Sequence, residues 1–190
     1  MTNIDRKDYP RIEEILTNAF RENKSVNYIL KKEGENLLIS KLISYSIFKG
    51  YSFGDIWLNE TKTACVICID PKKERITLES LKKDFWLITS VIGIKNLLKV
   101  LKKESITKKH LPYDIDFVHL WYIGVIPEEQ GQGIGSKLLL DVIKYYKEKK
   151  EAICLETSTL KNLPFYENLG FHRYHTENFG FDFYFLIKHL

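Results

Sequence analysis

Gln130-Gly131-Gln132-Gly133-Ile134-Gly135-Ser136 follows an aromatic and β-branched run, Phe117 to Val125, and opens a stretch from Gly133 to Lys149. In that stretch Ile134, Leu138, Val142 and Tyr146 recur at helical spacing, with Leu139 and Ile143 beside them. The order is strand, glycine turn, amphipathic helix. Ala152 to Glu156 reads as the next strand, which completes a βαβ unit and predicts a sheet that is parallel in part. Glycines at alternate positions let the backbone approach a ligand closely and take dihedrals closed to other residues. The helix beyond offers unpaired N–H groups and the positive end of its dipole, so the turn suits a phosphate.

Two common phosphate motifs do not fit. A dinucleotide fingerprint, G-x-G-x-x-G, fails because its last position falls on Ser136 counted from Gly131 and on Leu138 counted from Gly133. A P-loop needs Gly-Lys-Ser/Thr to close it, and here Lys137 follows Ser136. A strand-to-helix turn that needs glycine for its shape alone is the bland alternative.

Outward from this centre the chain divides into further elements. Tyr9 to Arg21 and Asn36 to Phe48 show helical periodicity, with a polar segment around Asn23 to Asn27 between them. Asp55 to Leu58 and Thr63 to Asp70 read as a hairpin. Leu78 to Lys103 reads as helix in two pieces hinged near Gly93, closed off by Pro112. Leu163 to Leu169 is a short helix, and Phe171 to Asn178 and Phe181 to Ile187 are two closing strands. No repeat or low-complexity linker interrupts the 190 residues, which are expected to form one α/β (α+β) domain over 1–190.

Composition narrows the classes. With 44% hydrophobic and 28% charged residues the chain reads as globular. No run approaches the ~20 apolar residues that span a bilayer. Met1 to Pro10 is polar and mixed in charge, unlike a secretory signal, so a cytoplasmic protein with no membrane partner is expected. The three cysteines have no framework spacing. Cys65 and Cys68 form a lone C-x-x-C inside an apolar run, and no second pair completes a zinc set, so buried strand thiols and no metal are expected. The net charge of +4 favours anionic ligands. The lysines between Lys95 and Lys109 read as a solvated helix face rather than a nucleic-acid track.

Gln130, Gly133 and Gly135, set between strand and helix, resemble the phosphate motif of the GNAT superfamily of N-acetyltransferases. Asn162-Leu163-Pro164-Phe165-Tyr166-Glu167-Asn168-Leu169-Gly170-Phe171 resembles a second signature of that family, at the right distance, and Leu155 to Ser158 looks like the strand before it. The likeness is specific from about Asp116 to Phe171. The helical insert before Pro112 is most similar to the puromycin acetyltransferase-like branch. Without any family, Asn162 is also a good helix N-cap, Pro164 suits a first turn and Gly170 a C-cap, leaving Tyr166 a core aromatic.

The resemblance implies the GNAT fold, a twisted mixed sheet of about six to seven strands flanked by helices, with the helical insert ahead of the cofactor-binding strand. It implies acetyl-CoA as cosubstrate, without a metal, and an acetyltransferase that passes acetyl to a small-molecule or peptide amine by direct attack. The pyrophosphate is expected on the N–H groups of Gly131, Gln132, Gly133, Ile134, Gly135 and Ser136, with Gln130 at the turn. The pantetheine arm would lie like an added strand along Ile123, Gly124 and Val125, with the Val125 N–H facing the developing oxyanion. Gly124 marks a bulge or a close backbone approach.

His119, in the strand, is a candidate base, and packing on the sheet is its alternative. Glu156 is a second candidate, or a hold for the substrate ammonium. Tyr166 matches the family tyrosine and would protonate the departing thiolate. Asn162 would support the pantetheine arm. Cys154 is near enough to evoke an acyl-enzyme, but no motif places an activating base beside it. A longer acyl donor and a CoA-binding regulatory protein are the competing readings. The acceptor should be set by Asn23 to Gly50 and by Leu78 to Pro112, with Tyr28, Phe85, Trp86 and Tyr113 as candidate pocket aromatics. The oligomeric state is not legible, a dimer being one form open to it.

Overall fold

Thr2–Asn3 (β1), Gly54–Leu58 (β2), Ala64–Ile69 (β3), Phe117–Val125 (β4), Ala152–Thr157 (β5), His172–Asn178 (β6) and Asp182–His189 (β7) build one seven-stranded sheet in the order β1-β2-β3-β4-β5-β7-β6. The coordinates are those of a computed structural model, which describes residues 2–190. Only β4 and β5 run parallel; every other pair is antiparallel. The parallel pair is joined through Ile134–Tyr146 (α6), the crossover that the glycine turn predicts. The mixed sheet and its flanking helices are those expected of the GNAT fold.

Two cores lie on opposite faces of the sheet. Tyr9–Ala19 (α1) and Asn36–Phe53 (α3) bury Ile12, Ile15, Leu16, Leu38, Ile39, Leu42 and Ile43 against Cys65, Ile67 and Ile69 of β3. On the other face Leu138, Leu139, Val142 and Tyr146 of α6 pack on Ala64, Val66 and Cys68. The alternation along β3 places its side chains in both cores, so the whole strand is buried. Each fully buried Leu or Ile contributes about 1.5–3 kcal/mol by leaving water. The Tyr146 hydroxyl donates to Asp55 Oδ2 at 2.7 Å, which ties α6 to β2. Lys150 bridges Asp70 and Asp116 at 2.9 and 2.8 Å, pinning the loop before β4.

Several boundaries differ from the sequence reading. The polar segment after α1 contains a helix, Lys24–Ile29 (α2), capped by Asn23 Oδ1 accepting from the Val26 N–H. Six residues are too few for periodicity to be read. The insert is Leu78–Leu87 (α4), a π-turn over Ile88–Ile92, then Ile94–His110 (α5), broken at Gly93 as expected but running on beyond Lys103. No residue of α5 is fully buried. The last helix, Leu163–Glu167 (α7), is shorter than expected. Among the described residues no helix is long and apolar enough to cross a membrane.

Candidate active site

β4 and β5 share a ladder only from Phe117 to His119 and from Ala152 to Cys154. Beyond those residues the two strands part, and a cleft of about 1310 Å³ opens between them. The Ile126 N–H donates to Thr63 O, on the β3 side. Backbone groups in a strand alternate, so the N–H and C=O of Ile123 and Val125 point to the opposite edge, into the gap. The Val125 carbonyl accepts from Gln130 Nε2 at 3.0 Å, which leaves its N–H facing the cleft.

Gln130, Gly131, Gly133, Ile134, Gly135 and Ser136 line one end of this cleft. Gly131 and Gly133 have φ of +79 and +78, left-handed dihedrals that favour glycine. A Cβ at either would meet nothing within 4 Å, so the dihedral rather than crowding demands glycine, and the space above the turn is open. Gly133 is the N-cap of α6 and supplies no side-chain cap, so the first N–H groups of a thirteen-residue helix face the cleft without partners. Gln132 lies apart from the cleft wall, exposed, its side chain donating back to Glu128 O.

Gly124 is explained by close approach rather than by a bulge. A Cβ there would stand 2.9 Å from Leu16 Cδ2 and 3.1 Å from Ala19 Cβ, so glycine lets α1 lie directly on β4. The bulge falls earlier. Ile67 pairs with Tyr122 and Cys68 with Leu120, leaving Trp121 without a partner on β3. Sequence reasoning missed it, since neither Gly nor Pro marks it.

Across the cleft, Asn162 stands at the N-cap of α7 yet makes no capping hydrogen bond, so its amide remains available to the cleft it lines. Tyr166 is buried but for an edge on the same cleft. Among the described residues its hydroxyl makes no hydrogen bond, and burial pushes the phenol above its ordinary pKa, so it stays protonated through the neutral range.

His119 and Glu156 do not line this cleft. They lie in an adjoining chamber of about 330 Å³, walled by α2, α3, α5 and the strands. Phe20, Asn23 and Ser158 border both spaces. Asn23 opens the segment expected to set the acceptor, whereas Ser158 reads in sequence only as the end of a strand; the Ser158 hydroxyl accepts from the Ser25 N–H and donates to Asn23 Oδ1.

His119 Nε2 and Glu156 Oε2 are 2.7 Å apart. Burial alone pulls the imidazole pKa down. The charge and hydrogen bond of Glu156 more than offset this, so the net shift is upward. Among the described residues Glu156 Oε1 and Thr107 Oγ1, on the chamber wall, are buried without partners. Buried polar atoms left without a partner call for an occupant or a catalytic reason.

Other expectations sort as follows. Tyr113 lines the chamber, whereas Tyr28, Phe85 and Trp86 do not. Tyr28 packs on Phe179 and Phe181 under Lys99, and Phe85 is 69% exposed. The lysine face of α5 is partly engaged, for Lys103 turns inward over the Phe183 ring at 4.3 Å, where burial lowers its pKa. Cys65, Cys68 and Cys154 are buried free thiols. Burial, then the Glu156 charge, pushes Cys154 up to about 12, which keeps it an unreactive thiol.

Residues 84–173 match the sequence profile of the acetyltransferase (GNAT) domain. Three solved structures show the same fold. Arylalkylamine N-acetyltransferase 2 from Aedes aegypti is 14% identical, with TM-score 0.65 over 99% of this chain and 97% of that one. A histone acetyltransferase HPA2 and related acetyltransferase from Corynebacterium glutamicum is 17% identical, with TM-score 0.64 over 98% and 93%. The polyamine N-acetyltransferase of Drosophila melanogaster is 15% identical, with TM-score 0.62 over 99% and 98%. The glycine turn, the parted strands and the profile match coincide on one stretch of chain, which has the fold of the GNAT acetyltransferases and, over residues 84–173, resembles their sequence profile.

Proposed function

We propose that the protein transfers acetyl from acetyl-CoA to the primary amine of a small molecule, by direct attack within a ternary complex. The observation that carries this reading is the parting of β4 from β5 directly above the uncapped start of α6. The pyrophosphate sits on the N–H groups from Gly131 to Ser136, including that of Gln132, whose side chain stays outside. The pantetheine arm runs as an added strand along Ile123 and Val125, with Gly124 between them and the Asn162 amide opposite.

The arm leads from the turn towards the chamber. Val125 belongs to the turn end of the cleft, whereas the chamber wall on β4 is His119, Trp121 and Tyr122. The cleft-facing N–H nearest that wall is Ile123's. It is therefore the better oxyanion donor, in place of Val125.

The amine enters the chamber as an ammonium. Glu156 Oε1 has no partner and accepts from it. An ammonium has no lone pair, so a proton must leave before attack, and His119 takes it. Attack on the thioester carbonyl gives a tetrahedral oxyanion. Its collapse expels the CoA thiolate, which Tyr166 protonates, and the second proton of the acylated nitrogen returns to the phenolate, leaving a neutral amide and a neutral thiol. A chamber of about 330 Å³ lined by Phe20, Trp121, Tyr122 and Phe183 favours a compact amine with an apolar body over a polypeptide N-terminus.

The test is release of free CoA from acetyl-CoA by the purified chain across an amine panel. Tyr166→Phe is expected to lower kcat about 100-fold or more, the scale of a lost general acid, with the KM for acetyl-CoA nearly unchanged. Unchanged kcat would remove the acid role. No CoA release with any amine, despite tight CoA binding, would favour a non-catalytic CoA-binding protein.

A further inference from the structure

His110, His175 and Glu177 form a cluster that acyl transfer does not use. His110 is the last residue of α5, while His175 and Glu177 are alternate residues of β6 and share one face. A bulge at Tyr174, between Arg173 opposite Leu186 and His175 opposite Phe185, sets that face towards α5. The imidazoles of His110 and His175 stack at 3.7 Å between centroids, 17° from parallel. Each Nε2 is 3.6 Å from Glu177 Oε2, and the three atoms lie within 4.8 Å of one another.

Those distances are too long for good hydrogen bonds. The two histidine–glutamate separations are close to the edges of a tetrahedron around a metal ion, since ligands at about 2.0–2.1 Å from zinc stand roughly 3.3–3.4 Å apart; the stacked rings aim their lone pairs side by side, so binding turns one imidazole out of the stack. His175 Nε2 is shielded from solvent and has no hydrogen-bond partner among the described residues. A bound ion removes that deficit. The side chains are 24%, 32% and 31% exposed, so the cluster is open to an incoming ion and to a water in a fourth position.

We infer that His110, His175 and Glu177 bind one divalent transition-metal ion of the zinc type, which fastens the end of α5 to β6. Two imidazoles and one carboxylate suit zinc rather than calcium or magnesium, which take oxygen ligands. The consequence lies in the insert. No residue of α5 is fully buried, and among the described residues its hydrogen bonds to other elements are few: Asn96 Nδ2 donates to Leu30 O at 2.8 Å, and the Tyr174 hydroxyl to His110 O at 2.9 Å, beside ring contacts of Lys99 and Lys103. The same helix gives Val100, Lys103, Glu104 and Thr107 to the chamber wall. An ion at its end therefore stiffens one side of the acceptor chamber.

The experiment uses the full chain stripped with a chelator. Zinc is titrated by calorimetry, and amide hydrogen exchange is followed with and without zinc. One equivalent is expected to bind saturably, with slower exchange in the last turns of α5. His175→Ala and the near-isosteric Glu177→Gln should each weaken binding at least about 100-fold, the upper end of the cost of losing even an outer-shell partner, and abolish the exchange effect. Tyr174→Phe, which keeps all three ligands, should bind as the parent does. Absence of saturable binding would overturn the inference, as would parental affinity in either ligand variant whose circular dichroism is native.

Discussion

The imidazole of His119 and the carboxylate of Glu156, 2.7 Å apart, make the residue whose behaviour is most exposed to pH. Burial opposes the imidazolium, but the Glu156 charge and hydrogen bond outweigh it and hold the pKa above the ordinary 6.5. A group whose folded pKa is raised stabilises the fold fully below its unfolded value, and the contribution is lost as pH rises through the folded value. Urea denaturation should therefore find His119→Gln more destabilising at about pH 6 than at about pH 9. A loss equal at both would separate His119 from the Glu156 charge. A base must also be unprotonated to act, so kcat/KM should climb with pH through an inflection above 6.5, and Glu156→Gln should move that inflection down. At this scale the sequence displayed the candidates, because a histidine in a strand and a glutamate ending its neighbour are visible as residue types. It did not display their contact, which depends on the register of the parallel ladder, His119 opposite Cys154.

Gly124 shows how an element is placed by a missing side chain. α1 lies on β4 because nothing projects between Leu16, Ala19 and the strand. Gly124→Val is expected to cost about 1–3 kcal/mol of stability by overpacking. It should also weaken CoA binding, because the segment from Asn18 to Lys24 that lines the cleft runs from the end of α1 to the start of α2. Denaturation and CoA titration on the one variant would check both, and an unaltered stability would show that α1 is held elsewhere. The βαβ unit was legible because its signals are local: a β-rich run, alternate glycines, a helical stripe. The six-residue α2 was not, and neither was the bulge at Trp121, whose cause lies in the pairing with β3. The end of α5 was hidden because its last turns carry lysines and no apolar stripe, with contacts made by long polar side chains.

For the whole molecule, the two halves of the chain take different parts. The stretch from Phe117 to Phe171 holds the glycine turn, the parted strands, Asn162 and Tyr166, which is why the proposed cofactor end of the cleft could be read in sequence order. The chamber draws on α2, α3, α5 and four strands, so no short motif announces it, and only the segments bordering it could be named in advance. The most direct measurement is a crystal structure of the protein with CoA. The diphosphate should rest on the N–H groups of Gly131 to Ser136, with the pantetheine chain hydrogen-bonded to the main chain of Ile123 and Val125 and the thiol turned towards His119. CoA bound anywhere else, with the gap between β4 and β5 left vacant, would contradict it.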